Sequence, residues 1–257
     1  SRIVIPYAER EACAILVGAT GAFGTAITQS LLDAGLGVIA VARSTDSLQA
    51  LTAANPGVRA CVADIGNDSA IAAIAAAIDK PVRMVVHGPG VAVVGGILTA
   101  PTESMVDAVN IKVGGLLRLV RAADSQLAAG SRIVAIGGHY GLEPTAYAAA
   151  AGVANAAVLN VVRQLSMAYG PRGITAHTIV PGPADTERLR RVAATRAEQR
   201  NCSTDEVLDE MRAESSLGIL STPEQIAWAV TLLLAPEADA MTGSSLMLDA
   251  GRRRGLP

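Results

Sequence analysis

The sequence predicts an α/β protein: a doubly wound parallel sheet of about seven strands with helices on both faces, forming a single domain over residues 1–257. Three observations predict it. Short apolar runs rich in Val and Ile alternate with longer Ala-rich stretches of helical periodicity along the whole chain. The first such run, Ile15-Leu16-Val17, passes through Gly18, Gly21 and Gly24 directly into a helical stretch. No segment rich in Pro, Ser and Gly divides the 257 residues, which suffice to bury one large core.

The first strand, at 13–17, is apolar throughout, as a strand covered on both faces must be. A helix at 23–34 follows at once. Its first N–H groups have no helical partner and point out of the turn, so an anionic group can dock there. Without Cβ atoms at Gly18, Gly21 and Gly24, the backbone can turn tightly, approach a pyrophosphate and let the helix settle on the sheet. A bare tight turn is the alternative in a chain with 25 glycines. Strands at 38–41 and 59–62, with helices at 47–54 and 68–77, repeat the unit. A strand at 84–87 leads to a long helix at 102–129, and a strand at 132–136 to a helix at 148–169. A sixth strand falls at 175–179. The charged stretch 185–220, carrying Arg188, Arg190, Arg191, Arg196 and Arg200, reads as helical. Ser221-Thr222-Pro223-Glu224 is a cap signature for a helix at 223–234, before a last strand at 246–248. Strict alternation implies right-handed crossovers, with ligands bound beyond the carboxyl ends of the strands where the strand order reverses.

Composition excludes several classes. With 51% hydrophobic residues but only one Phe, one Trp and four Tyr, the core must be filled by Ala, Val, Ile and Leu. A net charge of −2 gives no electrostatic reason to expect nucleic acid or an anionic membrane as partner, and Arg252-Arg253-Arg254 is too short to change that. Cys13, Cys61 and Cys202 have no metal-ligand spacing and cannot all pair, which suits a reducing compartment. Glu9, Arg10 and Glu11 stand where a signal peptide needs an apolar run, so a cytoplasmic location is expected. The uncharged stretch 146–162 is interrupted by Asn155 and Asn160 and reads as a buried helix, not a membrane span.

Nearly the whole chain resembles the short-chain dehydrogenase/reductase family, whose members have a Rossmann fold. The glycine turn matches its Gly-x-x-Gly-x-x-Gly signature, with Val17 where Thr is usual. Cys61-Val62-Ala63-Asp64-Ile65 resembles the strand whose terminal Asp holds the adenine ring. His87-Gly88-Pro89-Gly90 falls where the family has Asn-Asn-Ala-Gly. Asn110 matches the mid-helix Asn that holds a water in the proton relay, 181–186 matches the Pro-Gly-x-x-x-Thr stretch near the nicotinamide, and 241–251 the C-terminal signature. The resemblance implies a cofactor site of Gly18, Thr20, Gly21, Phe23, Gly24, Arg43, Ser44, Asp64, Ile65, His87, Gly88, Pro181, Gly182 and Thr186. It further implies a mobile lid at about 185–220, and a homotetramer or homodimer through the helices at 102–129 and 148–169. After the second strand the chain reads Val41-Ala42-Arg43-Ser44: a neutral residue where an acid would bind the 2′-hydroxyl of NAD(H), followed by a guanidinium. This favours NADP(H) over NAD(H), a solvated surface Arg being the alternative.

The family's catalytic positions are altered. Aligning 132–138 with the strand that ends in Ser places Gly138 at the Ser position. Aligning Asn155-Ala156-Ala157-Val158 with Lys-Ala-Ala-Val places Asn155 at the Lys and Ala151 at the Tyr. The resulting spacing of 13 residues is the family's own. Taking Tyr147 as the tyrosine shortens the spacing to nine and leaves Ala151 at the Lys. Either way the relay is broken, which slows carbonyl reduction by at least the ~10²–10⁴ that general acid catalysis supplies. Candidate substitutes are Tyr147, one turn before Ala151, His139 with Tyr140 after Gly138, and His87, expected to face the nicotinamide region; packing roles are the alternative for each. His177 reads as structural. Three functions stay open: an NADP(H)-dependent oxidoreductase acting on a small carbonyl or alcohol with an altered relay; an inactive dinucleotide- or ligand-binding pseudoenzyme; and a non-redox lyase or isomerase using His139, Tyr147 or His87. No metal is expected.

Overall fold

Seven parallel strands lie side by side in the order β3-β2-β1-β4-β5-β6-β7. They are β1 (Cys13–Val17), β2 (Gly37–Ala42), β3 (Val58–Val62), β4 (Val82–His87), β5 (Arg132–Ile136), β6 (Thr175–Pro181) and β7 (Ser245–Leu248). The helices are α1 (Gly24–Asp33), α2 (Thr45–Ala54), α3 (Ser69–Ala77), α4 (Thr102–Val109), α5 (Gly115–Ala123), α6 (Ala149–Tyr169), α7 (Glu187–Arg200), α8 (Thr204–Ala213) and α9 (Pro223–Leu232). The computed structural model describes residues 11–256, so the N-terminal reading at Glu9 and Arg10 lies outside them. The chain enters at β1, winds outward to β3, then crosses back to β4 and winds out the other way. The reversal therefore falls between β1 and β4, where such sheets open a crevice at their carboxyl ends.

Alternate side chains of the central strands feed two separate cores, as the two-residue repeat of a strand requires. Ala14 and Leu16 of β1 join Met84 and Val86 of β4 beneath Ile27 and Leu31 of α1, Leu48 of α2 and Ile226 of α9. On the other face, Ile15 and Val17 join Val85 and Ile133 beneath Ile74 of α3, Leu116 and Leu119 of α5, and Val158 and Val162 of α6. Each fully buried Leu or Ile is worth about 1.5–3 kcal/mol relative to exposure, so the aliphatic composition suffices without aromatic residues. The cap read at Thr222 forms a reciprocal box. The Gln225 N–H donates to Thr222 Oγ1 at 3.2 Å, and the Thr222 N–H donates to Gln225 Oε1 at 3.0 Å. The stretch 185–220 forms two helices, α7 and α8, which reverse at Asn201 (φ 52°) and pack through Ala193, Ala197, Val207 and Met211.

The long helix expected at 102–129 is not continuous. It divides into α4 and α5 around a π turn, Asn110–Gly114, and the regular structure ends in a short 3-10 turn, Asp124–Gln126. Gly114 and Gly115 account for the break. A Cβ at Gly115 would stand 2.7 Å from His87 Cε1, so only glycine lets the helix lie this close to the end of β4, and the local widening takes up the misfit. Among the described residues no helix is long and apolar enough to cross a membrane, no group of His, Cys, Asp and Glu could hold a metal, and Cys13, Cys61 and Cys202 are free.

Candidate active site

The turn after β1 is pressed against the loop after β4. Gly18 has φ +81°, and a Cβ there would lie 2.8 Å from Pro89 N and 2.9 Å from the Gly88 carbonyl carbon. The Gly88 N–H donates to Val17 O at 2.9 Å, and the Gly18 N–H to Val41 O at 3.0 Å, tying the turn to both neighbouring strands. Gly21 and Gly24 close it with N–H bonds to Gly18 O at 2.9 Å and Gly21 O at 3.0 Å. Thr20 and Gly21 are exposed, Phe23 is half-buried, and no side chain caps the start of α1. An uncapped helix start at the strand-order reversal, on a turn with no room for side chains, fits a dinucleotide pyrophosphate.

Around this cradle, Arg43 stands exposed at the end of β2 with no protein partner among the described residues. Ser44 Oγ accepts the Ser47 N–H at 3.3 Å and so caps α2. The Asp64 carboxylate holds its own loop, accepting from Gly66 N and from Asn67 Nδ2, each at 2.9 Å, while Ile65 is buried beneath it. Across the cleft, Pro181 ends β6, and a Cβ at Gly182 would meet Asp249 Cβ at 2.7 Å. Thr186 caps α7 by accepting the Leu189 N–H at 3.2 Å.

The three positions aligned with the family's Ser, Tyr and Lys fall together. Gly138 follows β5, while Ala151 and Asn155 lie one turn apart on α6. A Cβ at Gly138 would stand 2.7 Å from Asn155 Nδ2, so the amide of residue 155 fills the space a side chain at 138 would take. Asn155 is buried, and its Oδ1 has no hydrogen-bond partner.

The expected substitutes arrange differently from the expectation. Tyr147 lies outside α6, which begins at Ala149, so it does not share a helical face with Ala151. Its hydroxyl is 3.2 Å from Tyr140 Oη, and Arg196 covers its ring at 5.0 Å. The extended-side backbone of Ala148 (φ −125°, ψ 61°) is what keeps the helix from reaching it. Burial and the Tyr147 hydroxyl push the Tyr140 phenol up to about 12. His139 places Nδ1 3.3 Å from Pro181 O, and burial, then the Arg252 charge, push it down to about 4. His87 does not face the cleft: it lies under α5 at 1% exposure, with Nε2 2.9 Å from Ile111 O. Burial and then the Lys112 charge push it down to about 3, because strand alternation turns residue 87 toward the α5 side.

Asn110, the expected relay residue, has both ends of its amide engaged. Its Nδ2 donates to Gly66 O at 2.9 Å and its Oδ1 accepts from Arg118 Nη2 at 2.9 Å, bracing the loop after β3. The residue the π turn sends toward the end of β5 is Lys112. It is 3% exposed, and its Nζ donates to Ile136 O at 2.7 Å, two residues before Gly138. Burial, with the Arg188 charge second, pushes its ammonium down to about 8. Sequence reasoning passed over this residue, although a signal existed: of 21 cationic side chains only Lys80 and Lys112 are lysines, and Lys112 stands between Ile111 and Val113. Arg188 reaches from α7 to bond Val91 O, joining that helix to the loop after β4. The C-terminal tail ties down two segments. Arg252 Nε donates to Glu214 Oε2, after α8, at 2.6 Å, and the Arg254 N–H donates to Glu143 Oε1, in the loop after β5, at 2.6 Å.

A family model described as enoyl-(acyl carrier protein) reductase matches residues 18–253. The short-chain reductase protein NovJ of Streptomyces niveus is 28% identical over 95% of this chain and 94% of its own length. The inactive 2-(S)-hydroxypropyl-CoM dehydrogenase 2 of Xanthobacter autotrophicus is 30% identical over 74% of this chain and 82% of its own. A short-chain oxidoreductase of Pseudomonas aeruginosa PAO1, described as containing an atypical catalytic center, superposes in its NADPH-bound form with a TM-score of 0.84. That match is at 26% identity and covers 96% of this chain and 98% of the other.

Proposed function

Because this chain belongs to the short-chain dehydrogenase/reductase family of oxidoreductases, we propose that it binds NADP(H) in the cradle after β1 and interconverts a small carbonyl compound and its alcohol without the family's Ser, Tyr and Lys. The observation that carries the coenzyme reading is the uncapped start of α1 behind Gly18, at the point where strand order reverses. When bound, the nicotinamide supplies or accepts the hydride. The start of α1, which no side chain caps, would hold the pyrophosphate, and the unpartnered Arg43 guanidinium the 2′-phosphate, as a charge-assisted pair. The Pseudomonas aeruginosa relative, with its NADPH and its atypical centre, supports the combination of retained coenzyme and altered chemistry.

Titration with NADPH and NADH, followed by nicotinamide fluorescence, tests this. NADPH is expected to bind more tightly, and Arg43→Glu to weaken NADPH by roughly 10–100-fold, the ~1.5–3 kcal/mol of a bond to a charged group, with little effect on NADH. No enhancement with either coenzyme at millimolar concentration ends the reading. A second function is favoured by one observation, the interlocked Gly138 and Asn155: a binding protein that holds the dinucleotide without turnover; the Xanthobacter relative is itself described as inactive. Turnover of any compound in a carbonyl and alcohol panel separates the two. A homodimer or homotetramer through α4 and α6, whose Val106, Val153 and Met167 are exposed, belongs to the same reading, and light scattering that shows a monomer at micromolar concentration removes it.

A further inference from the structure

Reducing a carbonyl requires a proton as well as a hydride, and the groups the sequence offered for it do not suit. Both His87 and His139 are neutral at pH 7, with a ring nitrogen engaged by a backbone carbonyl, Nε2 of His87 by Ile111 O and Nδ1 of His139 by Pro181 O. Tyr140 holds its proton too tightly, and the hydroxyl of Tyr147 is engaged with Tyr140. Lys112 differs from all of these. An ammonium has three N–H donors, and among the described residues Lys112 uses one, on Ile136 O. Two donors are thus left in a side chain that is 3% exposed, beside the end of the strand that leads to Gly138. Asn155, 6% exposed and packed against Gly138, leaves a carbonyl oxygen unpartnered. Buried donors and acceptors left open in this way cost about 1–3 kcal/mol each unless something fills them, and a substrate hydroxyl or carbonyl with its attendant water has the complementary groups.

The choice of residue type is a second, independent observation. The chain uses arginine at 19 of its 21 cationic positions, and arginine cannot release a proton under any ordinary condition. Of the buried cations among the described residues, Arg83 and Arg132 lie near the starts of β4 and β5, and the one bonded to a strand's carboxyl end, on Ile136 O, is a lysine.

We propose that Lys112 is the proton donor of the site, replacing the missing phenol, with Asn155 orienting the substrate oxygen beside it. This rests on the coenzyme reading above. As hydride from the reduced nicotinamide adds to the carbonyl carbon, the π electrons of the C=O bond move onto oxygen. That oxygen takes a proton from Lys112 Nζ as the N–H bond breaks. The lysine is left as a neutral amine, which water reprotonates; the carbonyl is reduced and the nicotinamide oxidised. An acid works best when its pKa lies near the working pH, and the burial of Lys112 brings it to about 8. The ionisable groups whose charge reaches it are Arg188 from α7, which lowers it, and His87 from β4, which is neutral above about 3. β5 presents a backbone carbonyl, and α6 brings the uncharged Asn155 to Gly138.

With two lysines in the chain, NMR of protein labelled at lysine Cε gives two signals, and Lys80→Arg assigns them. Lys112 is expected to titrate near pH 8 and to shift its midpoint when NADPH is added. Over pH 6–9.5, kcat for a panel of ketones, ketoesters and quinones is expected to fall with rising pH at that same midpoint. Lys112→Met and the charge-preserving Lys112→Arg should both lose roughly 10²-fold or more in kcat while binding NADPH within about threefold of the wild type. An unchanged rate and pH profile in Lys112→Met overturns the role, as does an Lys112 signal that titrates above pH 10. A wild type that binds NADPH and reduces nothing also overturns it but leaves the coenzyme reading standing; failure to bind NADPH overturns both.

Discussion

At Gly138 an absent methyl group matters because the Asn155 amide stands 2.7 Å from where it would project. The backbone there is extended (φ −169°), so a larger residue meets no conformational strain, and any penalty must come from that contact. Gly138→Ala is therefore expected to destabilise the protein by about 1–3 kcal/mol, and Asn155→Ala to relieve most of it. A urea-unfolding double-mutant cycle measures the coupling; strictly additive effects would show that the two residues do not share the space. The positions of Gly138, Ala151 and Asn155 were legible from spacing, since 13 residues separate the first two whatever the loop between them does. Their interlock was not legible, because it is a contact across two elements.

The decisive element is the π turn between α4 and α5. Sequence periodicity predicted one helix there, since a single widened turn barely disturbs an apolar pattern averaged over twenty residues. Yet one extra residue in a turn rotates everything after it by about 100°. Asn110, where the turn begins, braces Gly66 and Arg118, and Lys112, within it, meets Ile136. Gly115→Ala tests the cause. The new methyl would press on His87 Cε1, with an expected loss of about 1–3 kcal/mol by urea unfolding and a displaced Lys112 titration. Stability within 0.5 kcal/mol of the wild type, a margin typical of neutral surface changes, would mean the glycine pair does not set the break.

Over the whole molecule, burial of ionisable groups makes stability depend on pH. His87 and His177 are fully covered, and burial first pushes them down to about 3 and about 4, below the ordinary 6.5. The unfolded chain therefore binds protons that the folded chain refuses, and stability falls as pH drops below about 6.5. The loss is on the order of 1.4 kcal/mol per pH unit for each histidine and ends once the folded groups themselves protonate. Lys112 acts in the same sense at higher pH: its folded value near 8 lies below the ordinary 10.5, so stability rises between those limits. Urea midpoints should decrease from pH 7 to 4.5; equal midpoints would mean that the imidazoles reach solvent in the folded state.

Order and spacing along the chain were enough to establish the alternating elements and the glycine turn between the first strand and the first helix. Each is a property of neighbouring residues or of a count between them, which folding does not alter. Which partners Asn110 and Lys112 would find, whether His87 would open to the cleft, and whether Tyr147 would ride on α6 depended on contacts between distant segments. A glycine pair against a histidine, and one widened helical turn, settled them. Rotation about a helix axis is set by what packs against it, and the packing partners lie far away in sequence.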